Sequence, residues 1–123
     1  MATQQEVVKY ISNNLNSEQI GDETFKILYN LGNDRSQIVF IHAASETINI
    51  ASPFAKIEDV TPKQALKAVE TYAFGIGTTG DWYVVRHVVP IADLDESEIT
   101  IGLELAAIIA DELEEELVGG DAM

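Results

Sequence analysis

Cysteine is absent from the chain, so no disulfide, thiolate metal site or cysteine nucleophile can form. Basic residues are scarce: 7 Lys and Arg stand against 21 Asp and Glu, giving a formal charge of −14. Nucleic-acid binding depends on neutralising phosphates with Lys and Arg, so no nucleic-acid partner is expected. The last basic residue is Arg86, and eleven acids follow it. This run reads as a solvated helix face and tail, a docking surface for a basic protein, or adaptation to salt.

Long apolar runs are missing as well. The most apolar stretch, "IGLELAAIIA", is short and broken by Glu104, so no membrane-spanning segment is expected. The start, "MATQQEVVKYISNN", has neither the basic nor the apolar region of a secretion signal. The expectation is a soluble, cytoplasmic protein without a membrane partner.

Motifs for ligand chemistry are lacking too. Gly75, Gly77 and Gly80 are not followed by a helix, so "FGIGTTG" is no phosphate cradle. There is no G-x-S-x-G, H-E-x-x-H, P-loop or EF-hand spacing. No cofactor, metal site or catalytic residue is expected on these grounds.

What is present is enough for one compact domain. The 123 residues are 46% apolar, ordinary for a globular chain and too high for a disordered one. One domain over residues 1–118 is expected, with a short flexible acidic tail over 119–123.

Three helices announce themselves through one signal. Thr3 with Glu6, Thr61 with Gln64, and Asp95 with Glu98 each place a capping oxygen three residues before a side chain that can reach back. Pro62 follows the second cap, at a position where a missing N–H costs nothing. The first helix, over about 3–15, gathers Val7, Val8, Ile11 and Leu15. The second, over about 62–73, buries Ala65, Leu66, Val69, Tyr72 and Ala73. The third, over about 96–117, repeats Ile99, Leu103, Ala106, Ala110, Leu113 and Leu117. It also carries a second stripe, Ile101, Leu105 and Ile108, so it is apolar around most of its girth.

Between the first two helices the pattern alternates. "TFKILYNL" and "SQIVFIHA" flank a turn at Gly32-Asn33-Asp34, and "ETINIAS" follows until Pro53 stops it. "FGIGT" and "DWYVVRHVVP" read as a second hairpin, turning at Thr79-Gly80-Asp81. The order α-β-β-β-α-β-β-α predicts an α+β fold, an antiparallel sheet with helices packed on it.

This order, with "YNLGNDRSQIVFIHA" and "DWYVVRHVVPIADL", resembles the type III secretion chaperone fold. In particular it resembles the YbjN-like family of bacterial sensory-transduction regulators. The resemblance implies a small, acidic, non-enzymatic protein that forms homodimers and binds a polypeptide partner.

The last strand decides between chemistry and binding. Along it Trp82, Val84, Arg86 and Val88 point one way, and Tyr83, Val85, His87, Val89 and Ile91 the other. Arg86 and His87 therefore cannot share a substrate. Both faces are mostly apolar, as for a strand covered by helices on one side and a neighbouring molecule on the other. Trp82, Val84, Arg86 and Val88, together with Ile101, Leu105 and Ile108, are the expected surface for a second copy or client.

Two other readings compete with this one. A small-ligand site or enzyme would use His42, His87 and Tyr29 in an enclosed pocket, His42 otherwise bonding Asn49 or Ser45. An acidic decoy would present "DELEEEL" to a basic protein. Asp93, Asp95, Glu96 and Glu98 are read as helix-start acids rather than a cation site.

Overall fold

The structure is a computed structural model that describes residues 1, 3–32 and 34–119. Its helices are α1 (Gln4–Asn14), α2 (Pro62–Val69) and α3 (Glu96–Val118). Its strands are β1 (Glu18–Gln19), β2 (Thr24–Gly32), β3 (Arg35–Ala43), β4 (Thr47–Lys56), β5 (Gly75–Thr79) and β6 (Trp82–Pro90). They form one antiparallel sheet in the order β1-β2-β3-β4-β6-β5. The fold is α+β, helices on an antiparallel sheet, with the α2 crossover carrying the chain to the far edge before β6 returns beside β4.

The caps act as their chemistry requires. Thr3, Thr61 and Asp95 each accept the amide three residues on, and Thr61 and Asp95 form complete reciprocal boxes with Gln64 and Glu98. Hydrogen bonds from the Ser97 hydroxyl and the Glu98 amide hold the Asp95 carboxyl below the usual range. Gly119 closes α3 in the left-handed conformation. The rest of the expected tail, 120–123, lies outside the described residues.

Strand alternation divides the sheet into two unlike faces. Phe25, Ile27, Val39, Ile41, Ile48, Ile50 and Val85 are buried on one of them. All three helices cover that face. α3 crosses its centre, where a side chain on Gly102 would meet Ile50 Cδ1 at 3.1 Å and His87 Cδ2 at 3.5 Å. α1 adds Val7 and Ile11 to the core, and Gln4 Nε2 donates to Ala43 O at 2.7 Å. α2 sits over Ile76 and Tyr83 beside the β5 edge.

One ionic knot binds the far end of α3 to the sheet. Arg35 Nε donates to Asp111 Oδ1 at 2.7 Å, and its Nη2 reaches Glu114 Oε1 at 3.3 Å. Glu114 is buried, which its place in the run "DELEEEL" does not suggest. The Asp111 hydrogen bond pushes Arg35 still further above its normal basicity.

Four local expectations are corrected. The segment after α1 is not all loop: Glu18–Gln19 pairs with Lys26 and Phe25, adding a sixth strand. Pro53 does not stop β4, which runs on to Lys56 opposite β6. The β3–β4 ladder extends only from Ala43↔Ile48 to Phe40↔Ala51, so at Pro53 the side toward β3 demands no backbone donor. There Ser52 Oγ donates to Ile38 O at 2.7 Å and Gln37 Nε2 donates to Pro53 O, replacing ladder bonds with side chains. α2 ends at Val69 rather than near Ala73, as the chain tightens with Glu70 N to Lys67 O. Finally, Leu66 is not buried but 59% exposed, because a two-turn helix at the sheet edge is covered on one flank only.

Candidate functional site

Among the described residues, no helix lies on the second face of the sheet. Its side chains form a row across all six strands, Glu18, Lys26, Phe40, Ala51, Arg86 and Gly75, each opposite the next. A second row holds Thr24, His42, Asn49 and Val88, and a third contains the pair Leu28 and Ile38. Leu28 is 57% and Val88 50% exposed, while Ile38, Phe40 and Ala51 are half-buried. This is a mixed surface in contact with solvent, apolar along Leu28, Ile38, Phe40, Ala51 and Val88 and polar or charged around them.

Its charges differ from those of the rest of the molecule. Of 21 acidic residues, the strands contain one, Glu18. It pairs with Lys26 at 3.6 Å, and both groups are well exposed, so the bond is weak and exchangeable. Arg86 has no salt bridge among the described residues and lies along the neighbouring strand, donating to Thr79 Oγ1 at 3.2 Å. Gly77 makes this possible, since a side chain there would come within 3.0 Å of Arg86 Nε. Lys56 sits 5.8 Å from the centre of the Trp82 ring, a cation–π pair at the end of the face.

The expected binding residues are therefore not brought into one patch. Trp82, Val84, Arg86 and Val88 belong to the open face, whereas Ile101, Leu105 and Ile108 lie on the helix layer across the sheet. The strand alternation that separates Arg86 from His87 also separates these two groups. Within the first group, Val84 is 2% exposed, between Pro53 and Gly77 on the adjoining strands, and offers nothing to a partner. The second stripe of α3 is exposed throughout: Ile101 54%, Leu105 41% and Ile108 38%.

Ile101 and Leu105 line a shallow cleft of about 220 Å³ with Phe74, His87, Val89 and Gly102. The His87 ring stacks flat on Phe74, with ring centres 4.1 Å apart and planes within 2°. Desolvation lowers its pKa below the ordinary histidine value. The folded state therefore holds a proton here less readily than the unfolded chain does. Its contribution to stability is complete above about pH 6.5 and is lost as pH falls through the lowered value. Denaturant titrations between about pH 7.5 and 5 are expected to show this fall in the native protein and less of it in His87→Phe, which keeps the stack.

The two histidines do not share a pocket. His42 is on the open face, exposed, with Nδ1 2.8 Å from Thr24 Oγ1 rather than bonded to Asn49 or Ser45. His87 is on the covered face. Tyr29 shares that covered face with His87 but stands on β2, with β3 and β4 between them. Burial, then the Glu104 charge, raises its pKa. The expected cavity uniting Tyr29, His42 and His87 is thus excluded by register. Among the described residues no group of three His, Asp or Glu side chains is placed to hold a metal ion, and no helix is long and apolar enough to cross a membrane.

The open-face residues missed by sequence reasoning are Lys26, Leu28, Ile38 and Phe40. Part of their signal was available: "QIVFIH" is apolar at both strand parities, a pattern of strands buried or contacted on two sides, whereas in "KILYNL" only Leu28 breaks the polar parity of Lys26 and Asn30. No protein-family model matches this chain, and no curated protein matches it.

Proposed function

We propose that this protein is a non-enzymatic, homodimeric module that binds another polypeptide in the cytoplasm. The observation that carries this reading is the open sheet face: six paired strands over which no helix lies among the described residues, with Leu28 and Val88 at least half exposed. The resemblance of the element order to secretion chaperones and YbjN-like regulators supports the same reading. The acidic helix layer would keep the molecule soluble and deter wrong partners.

The second copy fits best at the β5 edge. β5, "GIGTT", has no charge, proline or bulge to discourage pairing, and among the described residues its outer backbone groups face no strand. Beside it, α2 surrounds exposed Leu66 with Lys63, Lys67 and Glu70. Both signs of charge on one short surface make it self-complementary about a two-fold axis. The rest of the helix layer, dominated by the acids of α3, would repel its own image.

Light scattering at micromolar concentration is expected to give a dimer, and Leu66→Glu to give a folded monomer. A native monomer, or a dimer indifferent to Leu66→Glu, would overturn this placement.

A further inference from the structure

We propose that the open sheet face docks an acidic amphipathic α-helix of a partner protein. The inference rests on the polypeptide-binding reading above and names the partner's chemistry and its seat. The helix would lie along the strands, its apolar stripe on Phe40, Ala51 and Ile38, with carboxylates on its two flanks reaching Lys26 and Arg86.

Charge selects the sign of the partner. In a chain with a formal charge of −14, the open face keeps Lys26, Lys56 and Arg86 against Glu18 alone within the strands. Neither Lys26 nor Arg86 is tied to a buried acid. Lys26 holds an exposed bond to Glu18, and Arg86, among the described residues, bonds the neutral Thr78 O and Thr79 Oγ1 of β5. Both cations are free to meet incoming carboxylates at little cost.

Geometry selects the helix. Lys26 and Arg86 occupy one row, separated by Phe40 and Ala51 on β3 and β4. Three strand spacings of ~4.8 Å put their backbones roughly 14 Å apart. An α-helix about 10–12 Å across fits between them, with each cation arching over one flank. An extended segment laid on this face would find its strands already paired and would leave its own amides and carbonyls without partners, whereas a helix satisfies its own.

The same charges argue against a second copy on this face. Stacking two open faces would set Lys26 and Arg86 against the same cations of the other subunit. The α3 stripe of another copy has suitable chemistry, but that contact joins unlike surfaces and would continue from molecule to molecule.

The test uses the full chain and fluorescein-labelled synthetic helices of about twenty residues. One is built from Leu and Glu, a second from Leu and Lys, and a third from Leu and Gln. Anisotropy titrations are expected to show binding of the Leu/Glu helix alone, weakening as salt rises. Lys26→Glu and Arg86→Glu should each weaken it at least about fivefold, and Phe40→Glu should abolish it. Lys9→Glu, the same charge change on α1, should leave it unaltered. Circular dichroism confirms that each variant is folded, and the salt dependence of the native protein provides a readout without mutation.

Equal binding of the Leu/Lys or Leu/Gln helix, still lost in Phe40→Glu, would overturn the acidic partner and leave polypeptide binding standing. Absence of binding by all three at millimolar concentration would overturn both. Light scattering that grows beyond the dimer and is suppressed by Arg86→Glu would assign the face to another copy's α3 and overturn the proposal.

Discussion

Replacing Arg35 with methionine is expected to lower the thermal midpoint by about 10 °C. The change leaves Asp111 and the fully enclosed Glu114 without the cation that holds them to β3. Charge removal at the surface has little effect, but a carboxylate held inside loses part of what offset its desolvation. Arg35→Met/Glu114→Gln should recover part of the loss because one of the two carboxylates facing the lost cation is then neutral. A calorimetric scan of the native chain and these two variants checks both statements. An Arg35→Met midpoint within about 2 °C of native would mean that the Arg35 knot does not hold α3 to the sheet.

Phe54→Ala is expected to cost about 3–5 kcal/mol in denaturant unfolding. Phe54 is completely buried at the irregularity of β4 between Pro53 and Ala55, with its ring 6.0 Å from that of Tyr83 and 18° from parallel. Tyr83 in turn donates its hydroxyl to Val60 O at 2.8 Å, fixing the approach to α2. Truncating Phe54 leaves a void next to a residue whose polar end is anchored, so the site can collapse only partly. The loss should therefore fall in the upper half of that range, whereas Phe54→Leu should cost less than half as much. Chevron or equilibrium urea curves with an unchanged slope would show that stability alone is altered.

These two sites also show where sequence reasoning stopped. The helix starts were legible because a cap is a local event, set by residues three apart. The strand parities were legible because alternation is a property of each strand by itself. Arg35 and Glu114 are seventy-nine positions apart, and nothing within either segment marks one as the other's counterion. Pro53 was misread for a related reason. A proline breaks a ladder only where a neighbour needs its amide, and the early departure of β3 is not written in the residues of β4. The candidate site suffered most, since joining Val88 to Ile101 required knowing that one sheet stands between them. The alternation of 82–91 already contained that separation.

The order in which the chain runs has one more consequence. Up to Arg86 it carries ten acids against seven bases, and nearly all its strands. The strongly anionic α3, which roofs the sheet, follows all six strands in the chain. On the ribosome, a nearly neutral sheet would therefore emerge before α3, the central part of its cover, and before the acids that α3 carries, and synthesis of α3 would be what releases it from the risk of clumping.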